Sequence, residues 1–365
     1  MDDILVSYET EEECIQSAKE LPPCCKIIGM HLCKLQSDSI ECMKTIPKEL
    51  HAANVDLNRE EGSIFDPTKV LGIIWNPNTD SFHFKSKFSS IDEFLEKQKL
   101  VTQFAGWTKA LILRLSMTVY DPLGLIAPFT VQSRKILQKL WQEKLTWVDI
   151  IPQNYQTMWN DWLTQLFHHA SMVHIPRSFG FARGKTYSLH VFNDASTEVF
   201  AAAVFIRVED PREEEGSEGH VRSYLMTAKA RVCPTKAESV SRLELCSAVI
   251  GHRLGYAVAI IYELDPKEIF FWTDSMNVLH WINTPANYLK TFVSNRVGQI
   301  QSHSDPPQWR HVPTDQNSAD IATRNISLKD MVADSRWWHG PDWLLKPKSE
   351  WPPAFKPPAD KDESV

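Results

Sequence analysis

Ser188-Leu-His-Val-Phe-Asn-Asp194 is an alternating apolar run that ends on an acid and is followed by Ala195-Ser196. A second apolar run, Ile269-Phe-Phe-Trp-Thr-Asp274, ends the same way and continues Ser275-Met-Asn277. Short apolar runs closed by polar residues read as strands. Lys236-Ala-Glu-Ser-Val-Ser-Arg-Leu-Glu244-Leu-Cys-Ser-Ala248 has helical composition, and Asn317-Ser-Ala-Asp320-Ile-Ala-Thr-Arg324 reads as the opening of a further helix. Two strand-end aspartates, one helical glutamate and one helix-start aspartate can converge on a single site. A donor set of carboxylate oxygens alone suits Mg²⁺ or Mn²⁺. Two such ions about 3.5–4 Å apart activate a water and stabilise the leaving oxygen of a phosphodiester.

The surrounding pattern is α/β. Strands are expected at Tyr187–Asn193, Val199–Val208 and Arg222–Arg231, with Glu209-Asp-Pro-Arg-Glu-Glu-Glu-Gly-Ser-Glu-Gly219 as an exposed hairpin loop. A helix over about 236–264, a strand at Glu268–Thr273, helices from Ser275 and over about 288–303, and a last strand at Gln308–Val312 follow. Upstream, residues 1–88 read as mixed α and β. A helix from Glu9 is broken at Pro22-Pro23, Lys26–Leu35 reads as a strand, and a hairpin turns at Asn76-Pro-Asn-Thr-Asp80. Residues 89–180 read as helices interrupted by Asp121-Pro-Leu-Gly-Leu-Ile-Ala-Pro128. The expected domains are 1–88, 89–180, 181–336 and a Pro-rich tail, 337–365, without a core-forming pattern.

At 365 residues the chain is long enough for two or three cores. The composition is 43% apolar and 23% charged, and the formal charge of −7 argues against a broad electrostatic grip on nucleic acid. Binding by this chain alone is therefore expected to be weak and salt-sensitive. No apolar run is read as a membrane span and no leader is read at the start, so no membrane partner and an intracellular, non-secreted location are expected. The seven cysteines show no C-x-x-C pair and are read as reduced structural thiols.

The ordered motifs Asp194-Ala-Ser, Ser241-Arg-Leu-Glu244-Leu, Trp272-Thr-Asp274-Ser and Asn317-Ser-Ala-Asp320-Ile-Ala-Thr-Arg resemble the ribonuclease H domain of BEL/Pao long-terminal-repeat retrotransposons. The resemblance implies a five-stranded mixed sheet with flanking helices and four catalytic, metal-binding carboxylates: Asp194, Glu244, Asp274 and Asp320. It further implies two Mg²⁺ or Mn²⁺ ions and an RNA–DNA hybrid as substrate, with other parts of a Pol polyprotein as partners. Ser196, Ser275, Asn277 and Arg242 are candidate nucleic-acid contacts; the three polar residues read equally as caps or turn residues. His311 lies where some ribonucleases H carry a mobile histidine, although here it reads as strand.

Val70-Leu-Gly-Ile-Ile-Trp-Asn-Pro, the 121–128 turn and Ile136-Leu-Gln-Lys-Leu-Trp are similar to the segment between polymerase palm and ribonuclease H in that family. Met1-Asp2-Asp3-Ile4-Leu5-Val6 resembles the tail of the polymerase Y-x-D-D motif, with Asp2 and Asp3 as its remnant. The resemblance thus implies a palm remnant, a helical thumb or connection region, a ribonuclease H domain and a linker toward an integrase. Polymerase activity is not expected. The rival reading is a catalytically silent or domesticated nucleic-acid-binding relic.

Overall fold

The computed structural model describes residues 4–53, 55–57, 65–70, 73–84, 87–99, 104–213, 217, 220–236 and 238–356. Asp2 and Asp3 lie outside the described residues. The chain divides into two compact units, Met1–Ser86 with Ala170–Arg183, and Lys87–His169 with Gly184–Val365.

The first unit contains α1 (Glu11–Ile27), α2 (Ile40–Thr45) and four short strands: β1 (Thr68–Val70), β2 (Ile73–Asn76), β3 (Ser81–His83) and β4 (His174–Pro176). They form an antiparallel sheet in chain order. The β2–β3 hairpin turns where Asn76–Asp80 was expected to turn. Asp80 adopts a φ of +43°, and its carboxylate accepts from Trp75 Nε1 at 2.9 Å and Arg177 Nε at 2.5 Å. Two expectations need correction here. Helix α1 runs through Pro22-Pro23, and no strand forms over Lys26–Leu35, where Leu35 makes only an isolated bridge to His51. Proline's fixed φ of about −65° is itself helical; its cost is missing N–H donors and a clash with the preceding turn. α1 has no fully buried residue. It meets the unit's small core of Cys42, Met43, Ile46 and Phe65 through Cys14, Ile15 and Ala18, all ahead of the prolines.

The second unit begins with α3 (Ile91–Lys97), α4 (Lys109–Ser116), α5 (Ala127–Gln142) and α6 (Gln153–His169). Ser90 and Thr108 cap the first two, accepting from Glu93 N and Leu111 N. Then come β5 (Thr186–Ala195), β6 (Val199–Glu209), β7 (Val221–Val232), β8 (Ile269–Thr273) and β9 (Trp309–His311). They make a five-stranded mixed sheet in the order β7-β6-β5-β8-β9. β5–β6 and β6–β7 are antiparallel; β5–β8 and β8–β9 are parallel. The crossover from β7 to β8 is α7 (Val240–Ile261); α8 (Met276–Ile282), α9 (Thr291–Gln301), α10 (Asp320–Thr323), α11 (Leu328–Ala333) and α12 (Ser335–His339) complete the unit.

α7 comes unusually near β5. A Cβ at Gly251 would lie 1.8 Å from Asn193 Oδ1, and one at Gly255 would lie 2.7 Å from Val191 Cγ2. Only glycine permits that approach. By length and composition α7 is also apolar enough to cross a membrane, which corrects the reading that no such run exists. In the fold its apolar residues, among them Leu245, Ala248 and Ala259, are buried as core.

The expected boundaries at 180 and 337 also need correction. The helices from Lys87 to His169 belong to the same unit as the large sheet. The 121–128 turn docks on β7: Leu123 O accepts from Ala228 N at 2.8 Å, and Asp121 accepts from Leu125 N at 2.8 Å and Ile126 N at 3.0 Å. Gly124, at a φ of +71°, allows the contact, since a Cβ there would sit 1.8 Å from Ala228 O. Lys135 and Lys139 then pair with Glu198 at 2.5 and 3.0 Å, and Gln138 Nε2 donates to Cys233 O at 2.6 Å.

Nor is the C-terminal stretch free of core. Trp343 packs on Trp272 with ring centroids 4.5 Å apart, and Trp351 packs on His190 at 4.8 Å and Phe270 at 5.2 Å. Trp337 is fully buried and donates to Leu125 O at 2.8 Å. Each indole removes about 150–250 Å² from water, of the order of 4–6 kcal/mol before entropy.

Candidate functional site

The parallel register of β5 and β8 pairs Asn193 with Thr273, so Asp194 and Asp274 follow at matching positions, at the same end of adjacent strands. Asn193 Nδ2 donates to Trp272 O at 3.2 Å, and Asn317 Nδ2 donates to Asn193 O at 3.0 Å. Asn317 Oδ1 in turn accepts from Ala319 N at 3.2 Å, which fixes the start of α10 and therefore Asp320. These buried amides join the two strand ends to the last acidic motif. Burial makes such bonds costly to lose, because an unpaired amide in the interior is heavily penalised.

Glu244 projects from the second turn of α7, and Ser275, the N-cap of α8, accepts from Val278 N and donates to Glu244 Oε2. Thr323, on α10, donates to Asp194 Oδ2. Arg324 holds both oxygens of Asp320, at 2.8 and 2.6 Å. Three carboxylates are therefore each engaged by a neighbouring donor, but with different consequences. A carboxylate has about four lone-pair positions, so Asp194 and Glu244 retain free acceptor capacity. The Arg324 side chain is 67% exposed against 14% for Asp320, so it is a partner open to water on one side.

The acids influence one another. Burial pushes the Asp194 carboxyl up to about 6; Thr323 opposes this, while Asp274 and Asp320 add to it. Burial likewise raises Glu244, with Ser275 opposing and Asp274 reinforcing the shift. Asp320, with a smaller contribution from Asp194, holds the Arg324 guanidinium more firmly protonated. Desolvation and like charge both penalise closely placed carboxylates, and a cation relieves both. Among the described residues no three His, Cys, Asp or Glu side chains form a ready metal-holding group. The hard-oxygen donor set nevertheless fits Mg²⁺ or Mn²⁺ in kind.

The remaining sequence candidates separate. Ser196 accepts from Glu198 N and Val199 N, at 3.2 and 3.1 Å, so its hydroxyl shapes the β5–β6 turn. Ser275 positions Glu244. Asn277 Nδ2 donates to Ser241 Oγ at 2.9 Å, and Arg242 pairs with Glu238 at 2.9 Å. His311 ends β9, paired with Thr273 in register, and so lies on strand rather than loop. Sequence reasoning had assigned no role to Thr323, Asn193 or Asn317. Thr323 and Asn317 stood inside the motif around Asp320, and Asn193 directly before Asp194, but side-chain pairing across 124 to 129 residues leaves no local pattern.

A mixed five-stranded sheet, antiparallel at one edge and parallel at the other, with a crossover helix after its third strand and acids at adjacent strand ends, is consistent with an RNase H-like fold. Residues 108–275 match the family described as Pao retrotransposon-like RNaseH-like domain. That stretch of the chain is therefore similar to the RNase H-like domain of Pao-type retrotransposons. The matched span opens at the N-cap of α4 and holds Asp194, Glu244 and Asp274, while Asp320 falls beyond it. Compared with curated proteins, the sequence finds no match.

Proposed function

We propose that this protein is a divalent-metal-dependent ribonuclease H that hydrolyses the RNA strand of RNA–DNA hybrids. The observation that carries the reading is the junction of four acids from β5, α7, the end of β8 and α10, where Asp194 and Glu244 are both raised by burial and by their acidic neighbours. Asp194, Glu244, Asp274 and Asp320 would hold two Mg²⁺ or Mn²⁺ ions. When bound, the ions supply charge neutralisation at the scissile phosphate and a more acidic water. The chain's own part is positional. Thr323 and Ser275 each engage one carboxylate oxygen, and the Asn193–Asn317 brace sets the spacing of the strand ends and α10. Arg324 neutralises Asp320 and would release at least one of its oxygens when a cation arrives. The wide, shallow minor groove of the hybrid, with its 2′-hydroxyls, supplies RNA discrimination.

In this proposal the first unit and helices α3–α6 descend from a polymerase palm and thumb or connection region. Sequence resemblance supports that ancestry. The docking of α5 on β7 makes the helices part of the nuclease unit whatever their origin.

A second reading, a non-cleaving nucleic-acid-binding module, is favoured by the Arg324 hold on Asp320, in which Nε lies within reach of both carboxylate oxygens. Cleavage of an end-labelled RNA–DNA hybrid by the full chain separates the two. The nuclease reading expects Mg²⁺-dependent cutting of the RNA strand that Asp274→Asn abolishes. Cutting that survives this change, or that needs no divalent metal, would overturn the mechanism. Hybrid binding without cutting would establish the second reading.

A further inference from the structure

An acidic chain that acts on a polyanion needs a local positive surface, and the fold has one beside Glu244. Phe292, in the first turn of α9, carries two guanidinium groups. Arg296 Cζ lies 3.5 Å from its ring centroid and Arg242 Cζ lies 4.8 Å away. Arg296 reaching back four residues is an ordinary neighbour pair on one helix. Arg242 is different, because it arrives from α7, two residues before Glu244.

The pair is short of negative charge. Arg242 has Glu238, and its side chain remains 43% exposed. Arg296 donates through Nη1 to Phe292 O at 3.0 Å and, among the described residues, has no carboxylate partner. Two cations near one ring repel each other, and the ring stacks them without neutralising them. A planar guanidinium with free donors is the group best matched to a phosphate, which it binds through paired N–H bonds. The ledge is also held in place relative to the acids. Asn277 bonds Ser241, the residue before Arg242, while Ser275 bonds Glu244 one turn further along α7. Two cross-links one turn apart fix the α7 face that carries Ser241 and Glu244, and with it the first turn from which Arg242 projects toward α9.

We infer that Arg242 and Arg296, stacked through Phe292, form a phosphodiester-binding ledge that grips the nucleic-acid backbone next to the cleavage site. Arg296 is the principal contact, and Phe292 is a positioning residue. The inference rests on the proposed nuclease reading for its substrate, and its own signature is salt-dependent affinity. A backbone contact adds one released counterion per neutralised phosphate, whatever the base sequence.

The test measures binding of a fluorescent RNA–DNA hybrid to the full chain from 50 to 200 mM salt, with Ca²⁺ in place of Mg²⁺. Arg296→Gln is expected to weaken binding about tenfold and to reduce the log–log salt slope by about one. Arg296→Lys should retain most of the slope but lose part of the affinity, because charge remains while the stacked plane is lost. Phe292→Leu should weaken binding with the slope less affected. Thermal unfolding of each variant identifies any general loss of fold, and Arg296→Lys serves as the informative variant if Arg296→Gln unfolds. Unchanged affinity and slope in Arg296→Gln would overturn the ledge while leaving wild-type cleavage intact. Absent wild-type cleavage with a lost slope in Arg296→Gln would sink the nuclease reading and keep the ledge.

Discussion

The two sheets of this protein are built from different materials. In the first unit four strands of three or four residues form an antiparallel sheet, and β2 is only partly buried along its length. In the second, β5, β6 and β7 run for 10, 11 and 12 residues, and β5 is buried at eight consecutive positions. A strand buried on both faces needs cover on both, and the chain supplies it from distant places: α7 on the Val191–Asn193 face and the C-terminal tryptophans on the His190–Phe192 face. The small sheet instead relies on polar ties such as Asp80 with Trp75 and Arg177. Apolar cover therefore marks the unit that holds the acids, and polar ties mark the other.

Removing cover should break the contrast most sharply. Trp337→Ala deletes a fully buried indole and its bond to Leu125 O, and should cost the second unit about 3–5 kcal/mol. Denaturant unfolding, with probes placed separately in each unit, should show the loss in the second unit's transition alone.

Acid should act on the same unit through His252. Both its ring nitrogens are buried without a partner, and burial, with His303 and Arg253 adding, lowers it to about 4. A depressed histidine leaves the unfolded chain binding more protons between about 6.5 and 4, so stability is lost as pH falls through that window. Relative to His252→Gln, the wild type should lose about 2–3 kcal/mol over it. Parallel stability–pH curves for the two proteins would contradict this.

Gly251→Ala tests the close approach of α7 to β5. The added methyl overlaps Asn193 Oδ1, and overpacking of this kind costs about 1–3 kcal/mol. Because Asn193 also braces the strand ends, any nuclease activity should fall by more than the stability loss explains. The smallest effect belongs to the first unit's surface. Glu41→Gln breaks an exposed pair with Lys44 and should change stability by less than about 0.5 kcal/mol in a thermal melt.

Much of the large sheet was legible in the residues. The alternation through Ser188–Asn193 and the run Ile269–Thr273 located β5 and β8 within a few residues, and the helix over Glu244 shortened only to Val240–Ile261. Pattern failed where composition stood in for contact. Pro22-Pro23 looked like a stop, yet α1 continues; the proline-rich C-terminal stretch looked like a linker, yet Trp343 and Trp351 are core. The 121–128 turn was read as a break between helices, whereas Asp121, Leu123 and Gly124 make it a docking joint on β7. In the last two cases the deciding partner lies far away in the chain, beyond the reach of any local window.

The site divides along the same line. The sequence by itself determined which acids are present, their order, and that two of them close strands, because period-two burial and residue chemistry are local properties. Only the tertiary structure decided that Thr323 and Ser275 engage two of those acids, that Asn193 and Asn317 join their supports, and that Arg242 meets Arg296 across one ring. Those pairings depend on which strand lies beside which and how near α7 comes to β5, and long-range packing sets both.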